Sequence, residues 1–207
     1  GLHQSLISWI RSFLCCRTQY VKINGSASSL RDVLSGIPQG TVLGPLLFII
    51  FINDLPDIFD EMCKLFLFAD DGKLYRHVVN FDDCRILQDC CQDVFSWSQK
   101  WCMSLNIDKC KVLSFCKNNS KKITNQYSVD TPNGRISLEN VSYIKDLGVI
   151  IDNELSFSNH IHEKINTAFK MLGIIKRNFS DLDRYSFMLL YKSLIRSHLE
   201  YGVSVWS

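Results

Sequence analysis

Apolar residues at Leu2, Leu6, Trp9, Ile10 and Phe13 recur at helical steps and predict a helix over 2–14. The period then shortens. Residues 17–23 alternate as a strand does, and Asn24-Gly25 is a strong turn signal. A polar loop over 26–29 and a returning strand over 30–35 complete that unit. The Gly-Ile-Pro-Gln-Gly-Thr segment over 36–41 excludes regular structure. Gly44-Pro45 opens a helix running from 46 to about 55, because proline lacks an N–H that the first turn leaves unpaired anyway.

A short apolar run over 64–69, the sequence Asp70-Asp71-Gly72 and a second β-like run over 73–79 predict a hairpin with the aspartates at its tip. The apolar Phe66-Leu67-Phe68-Ala69 places the aspartates on a strand expected to be buried and rigid. Asp82-Asp83 can cap the next helix, whose stripe is Leu87, Cys90, Cys91, Val94, Trp97, Trp101 and Leu105. Both tryptophans are expected in the core. Residues 112–115 suit a strand, 118–135 an exposed loop or ribbon, and 143–152 a β run broken at Gly148. Two helical patterns over 158–199 part near 178–183. This order defines an α/β (α+β) chain with a helical C-terminal part.

Composition narrows the picture. With 207 residues, 46% apolar and 21% charged, the chain is ordinary globular material, not a disordered, collagenous or coiled-coil sequence. The net charge of +2 names no partner by itself. Up to Asp71 there are 5 basic and 7 acidic residues, leaving 18 and 14 for the remainder. That split suits cations held in one place and a polyanion in another. The nine cysteines show no C-x-x-C pair, which argues against a zinc site. Their odd count and the lack of a secretory h-region argue against a disulfide framework or a disulfide-linked partner. Reduced, mostly buried thiols in the nucleus and cytoplasm are the expectation, not secretion. The longest apolar stretch, 46–52, falls well short of the ~20 residues of a membrane span.

Three segments could carry chemistry. Adjacent aspartates repel one another, and a divalent cation relieves the repulsion at neutral pH. Mg²⁺ suits such a pair because it binds carboxylate oxygens and shares substrate phosphates; the plain alternative is a solvated turn. The loop over 36–41 brings backbone close to a ligand just ahead of a helix, and Gln39 adds a neutral donor and acceptor. Lys109 follows a helix and precedes a strand, where it can meet phosphate or act as a general acid. His160-x-His162 is read as a solvated helix start, and Lys117, Lys121 and Lys122 as a solvated basic ribbon.

Taken in order, Ser35-Gly-Ile-Pro-Gln-Gly-Thr-Val-Leu-Gly-Pro-Leu-Leu-Phe48, Ile52-Asn-Asp-Leu-Pro56 and Leu67-Phe-Ala-Asp-Asp71 closely resemble the reverse transcriptases of non-LTR (LINE-type, jockey-like) retrotransposons. The resemblance implies a palm-type sheet covered by helices, incomplete here, with a helical thumb segment. It divides the chain into 1–35 (end of fingers), 36–152 (palm) and 153–207 (partial thumb). Gly36, Pro38, Gln39 and Gly40 match motif B, which supports template and nucleotide. Phe68 and Ala69 lead into motif C, whose Asp70 and Asp71 would bind Mg²⁺ or Mn²⁺. Asn106 and Lys109 match motif D, where the lysine would protonate the leaving pyrophosphate. Leu147 and Gly148 fall in the primer grip of motif E, which ends near Asp152, and Tyr201 and Trp206 in the thumb. The implied reaction extends a DNA primer on an RNA template from dNTPs by two-metal phosphoryl transfer.

There are departures. Gly72 stands where relatives usually carry threonine, and Asp146 where an apolar residue is more usual. Relatives also carry a motif A aspartate upstream of the segment resembling residues 2–14. The expectation is therefore a fragment that does not catalyse alone. The rival is a catalytically dead element remnant that binds nucleic acid without specificity.

Overall fold

The computed structural model describes residues 2–59, 63–116 and 123–207. It divides into two compact units, Gly1–Arg76 and His77–Ser207.

In the first unit, helix α1 (Gln4–Leu14) is capped by His3, whose ring accepts the Ser5 N–H. The chain then runs out and back as a ribbon in two segments. Strand β1 (Thr18–Gln19) pairs with β4 (Arg31–Asp32), and β2 (Lys22–Ile23) pairs with β3 (Ser26–Ala27). Asn24 and Gly25 have φ of 47° and 87°, the mirror-image turn that Asn-Gly favours. Ser26 and Ala27, expected in a loop, thus begin the return strand, since so tight a turn reverses the chain at once. Helix α2 (Leu43–Ile52) starts and ends earlier than its composition suggests, and a 3₁₀ turn (Pro56–Ile58) follows. Thr41 sets the start, because its hydroxyl accepts the Gly44 N–H at 3.1 Å. Pro45 then lies third in the helix, where no intrahelical bond is lost.

Strands β5 (Lys64–Phe68) and β6 (Asp71–Tyr75) form an antiparallel hairpin. The expectation of a buried strand fails here: Phe66 is 57% and Phe68 61% exposed. Among the described residues β5 pairs with β6 alone, and only its Leu65 and Leu67 face is half-buried.

The second unit opens with α3 (Phe81–Lys100). Its cap is Asn80, two residues before the aspartates expected there, and Asp83 completes a reciprocal capping box. Trp97 is buried, but α3 ends before Trp101, which is 42% exposed. Strand β7 (Lys111–Leu113) pairs in parallel with β10 (Glu139–Val141). Strands β8 (Ser128–Thr131) and β9 (Gly134–Ser137) form a hairpin against α3, so this ribbon has a buried face carrying Tyr127 and Val129. Lys117, Lys121 and Lys122 lie outside the described residues.

Strands β11 (Tyr143–Asp146) and β12 (Val149–Asp152) make the last hairpin. Helix α4 (Ser158–Asn178) lies against β12. Its His160, expected in solvent, is fully buried, and Nδ1 accepts the Ile150 N–H at 3.2 Å. The third residue of α4 therefore faces the sheet. Helix α5 (Arg184–Leu190) packs against a π-helical segment (Tyr191–Arg196), which together with α6 (Ser197–Leu199) packs on α4 around Ala168, Ile175 and Ile195. Helix α7 (Val203–Trp206) follows. Each described strand has one partner, so the sheets are open and the class is α/β. Of the nine cysteines, Cys63, Cys84 and Cys90 are buried, whereas Cys15, Cys16 and Cys102 are exposed, less burial than expected. Among the described residues no helix is long and apolar enough to cross a membrane.

Candidate functional site

The loop before α2 is fastened at both ends. Gly36 and Gly40 have φ of 76° and 75°, which glycine adopts without strain. Arg17 donates from Nε to the Leu14 carbonyl at 2.8 Å, and its guanidinium also donates to the carbonyls of Ser35 and Gly36. At the other end the Thr41 hydroxyl donates to the Pro38 carbonyl at 2.8 Å. Gly44 is buried, and a Cβ there would stand 3.0 Å from the Pro38 oxygen and 3.2 Å from the Thr41 hydroxyl. Loop and helix therefore meet backbone to backbone, while Gln39 stays exposed. Arg17 and Thr41 were not legible as loop holders. Thr41 three residues before Gly44 is a capping signal in retrospect, whereas Arg17 is 19 residues from Gly36 and leaves no local trace.

The aspartates occupy a two-residue turn and its exit. Phe68 pairs with Asp71, so Ala69 and Asp70 form the turn, and Gly72 lies in β6 opposite Leu67. Ala69 has φ of 51°, an uncommon conformation outside glycine that the tight reversal imposes. Both carboxylates are exposed, and among the described residues no Lys or Arg pairs with either. Asp71 shares a ribbon face with Phe66, Phe68 and Lys73. Two adjacent carboxylates suit an ion that takes one or two protein oxygens and completes its shell with phosphate and water. Among the described residues, no group of three or more His, Cys, Asp or Glu side chains could hold a metal.

In the second unit Asn106 and Lys109 bracket one 3₁₀ turn (Ile107–Lys109), with the Lys109 N–H donating to the Asn106 carbonyl at 3.1 Å. Both are exposed. Burial pushes the neighbouring Cys110 thiol up, which keeps it protonated beside Lys111. Leu147 and Gly148 form the two-residue turn between β11 and β12, with φ of 44° and 81°. The Tyr201 hydroxyl donates to the Leu147 carbonyl at 2.8 Å. Below the turn, Asp152 accepts the backbone N–H groups of Glu154, Ser156 and Phe157 and the Ser156 hydroxyl. These bonds, led by the Ser156 N–H, hold its carboxyl below the usual range.

The family of reverse transcriptases (RNA-dependent DNA polymerases) matches residues 2–175, which takes in all of these segments except Tyr201. The chain belongs to that family. It is 29% identical over 95% of its length to the RNA-directed DNA polymerase from mobile element jockey of Drosophila melanogaster, and 30% identical over 99% to its counterpart of Drosophila funebris. It is 26% identical over 95% to a probable RNA-directed DNA polymerase from transposon X-element of Drosophila melanogaster. The chain spans 22%, 23% and 22% of the length of these three relatives. No solved structure matches it.

Proposed function

We propose that this chain is part of the RNA-directed DNA polymerase of a non-LTR retrotransposon, with 1–35 from the end of the fingers, 36–152 from the palm and 153–207 from the thumb. The whole protein would extend a DNA primer on an RNA template from dNTPs, in the nucleus and cytoplasm. The observation that carries this reading is the pair Asp70 and Asp71, exposed and unpaired among the described residues at the tip of a tight hairpin.

Asp70 would be the main metal ligand and Asp71 the second, for Mg²⁺ or Mn²⁺. A divalent ion there supplies charge neutralisation at the reacting phosphate. Gly36, Pro38 and Gly40 let backbone approach template and nucleotide, while Gln39 offers a neutral donor and acceptor. Phe68 and Ala69 shape the turn that carries the carboxylates. Lys109, with Asn106 fixing its turn, offers a proton to the leaving pyrophosphate. Leu147 and Gly148 contact the primer strand.

The test is a Mn²⁺ titration followed by paramagnetic broadening of amide NMR signals. Broadening centred on Ala69 to Gly72 and lost in both Asp70→Asn and Asp71→Asn is expected. Broadening elsewhere, or unchanged in these variants, counts against the reading. Two carboxylates alone hold an ion weakly, so the 207 residues by themselves are expected to give no primer extension. Incorporation that disappears in Asp70→Ala would show that two suffice.

A further inference from the structure

The two-residue reversal between β11 and β12 puts Leu147 in a conformation that leucine seldom adopts. Its φ of 44° is left-handed, where bulky side chains are rare and Asn or Gly fits without strain. Its side chain is 44% exposed, so core burial does not compensate. A costly residue kept at an exposed tip points to use of that tip.

Tyr201 holds the turn there. Its hydroxyl takes the Leu147 carbonyl, and its ring lies so close to Gly148 that a Cβ would stand 2.9 Å from it. Trp206 donates its indole N–H to the Tyr201 carbonyl at 2.9 Å, and the Lys164 ammonium lies 4.6 Å from the ring centroid. The adjoining Gly202 is also left-handed, and a Cβ on it would be 2.8 Å from Val149. The Tyr201-Gly202 dipeptide is thus fitted to the end of the hairpin on both sides.

We propose that Tyr201 is a positioning residue for primer binding: it locks Leu147 in the left-handed form and so presents that side chain and the turn backbone in one geometry to the 3′ end of a primer strand. This rests on the reading of the turn given under Proposed function. A turn already fixed loses less freedom on binding, which is where Tyr201 would raise affinity.

The test uses the 207-residue chain and two RNA–DNA duplexes, one with a recessed DNA 3′ end and one blunt. Anisotropy gives the preference between them, and amide hydrogen exchange at Gly148 and Val149 reports the turn. Tyr201→Phe removes only the hydroxyl. Exchange should quicken and the preference for the recessed end should fall about threefold to tenfold, the worth of one hydrogen bond. Blunt-duplex affinity should not change. Unchanged exchange, or faster exchange with an intact preference, overturns the positioning role. Leu147→Gly relieves the strained φ without threatening the fold, and it should reduce the preference while thermal stability holds or rises; a preference retained there also overturns the proposal. A wild-type chain with no preference overturns the primer reading of the turn and this proposal with it. That failure is distinct, because exchange still responds to loss of the hydroxyl.

Discussion

Gln88 and Ser128 exchange two hydrogen bonds across the α3–β8 contact: the amide donates to the Ser128 carbonyl at 2.7 Å and accepts its N–H at 2.9 Å. One turn along α3, Gln92 does the same with Asp130, at 3.3 and 2.8 Å. The match is geometric, since four helical residues rise ~6 Å and two strand residues ~6.7 Å. The glutamines stand in for a neighbouring strand on the edge of β8 that β9 leaves open.

Gln88→Ala would strand both backbone groups of Ser128, which is buried. It should cost ~1–3 kcal/mol, the penalty of unsatisfied buried polar groups. The exposed Gln92 pairing should matter less, below ~1 kcal/mol. Urea unfolding followed by tryptophan fluorescence checks both values. Equal or negligible losses would mean that water replaces the amides.

Acid should weaken the second unit in two stages. Burial, then Lys164, pushes the His160 imidazole down, so the folded ring stays neutral while the unfolded ring takes a proton near its usual ~6.5. The unfolded state then binds more protons, and stability falls as pH drops from ~6.5 through the depressed folded value. Asp152 acts lower. Its contribution is complete above the unfolded carboxyl value of ~3.9 and is lost as pH falls through the lowered folded value. His160→Asn offers an acceptor to the Ile150 N–H without a titrating ring, so it should flatten the upper stage alone. An unchanged decline between pH 7.5 and 5.5 in that variant would contradict this assignment.

What the sequence disclosed follows from how far each signal reaches along the chain. Asn24-Gly25 fixes its turn with two residues, so that hairpin was legible, as was the reversal beside Asp70 and Asp71, whereas Leu147-Gly148 carries no such signal and Gly148 showed only as a break in a β run. The cap of α3 was misplaced because Asp82 and Asp83 mimic it chemically, although Asn80 bonds the N–H. Burial was harder, because it depends on what lies against a face. Phe66 and Phe68 look like core in sequence and are exposed, while His160 looks like solvent and is enclosed. Gln88 and Ser128 are 40 residues apart, and Tyr201 and Leu147 are 54 apart, so neither pairing leaves a periodicity to detect.

Gly44 should resist even alanine. In a helix that exchange ordinarily gains ~1 kcal/mol. Here the new Cβ would press on the Pro38 oxygen, and the loop cannot readily retreat because Arg17 and Thr41 hold its two ends. A net loss of ~1–2 kcal/mol is expected, typical of overpacking. Thr41→Val should lose ~1 kcal/mol as a removed cap, and Thr41→Ser much less. Thermal unfolding of the three variants gives the order. A stabilised Gly44→Ala protein would show that the loop is free to move.

Gly72 should behave in the opposite way. It lies in β6 opposite Leu67, its φ is outside the left-handed range, and a Cβ would meet Leu67 at 3.5 Å and Leu65 at 3.9 Å. Those are ordinary contacts, so neither conformation nor space requires glycine. A β-branched residue would restrict the unfolded chain and cover part of the half-buried leucine face. Gly72→Thr is therefore expected to stabilise the hairpin by ~0.5–1 kcal/mol. Amide exchange should slow on both strands, with the largest change at Phe66, Phe68 and Lys73, whose N–H groups point across the ladder. The aspartates should be untouched, since Asp71 projects from the other face, and Mn²⁺ broadening at the tip should stay the same or sharpen in its localisation. Faster exchange in Gly72→Thr would mean that the hairpin needs the looseness of glycine beside its carboxylates, and that its rigidity is not what presents them.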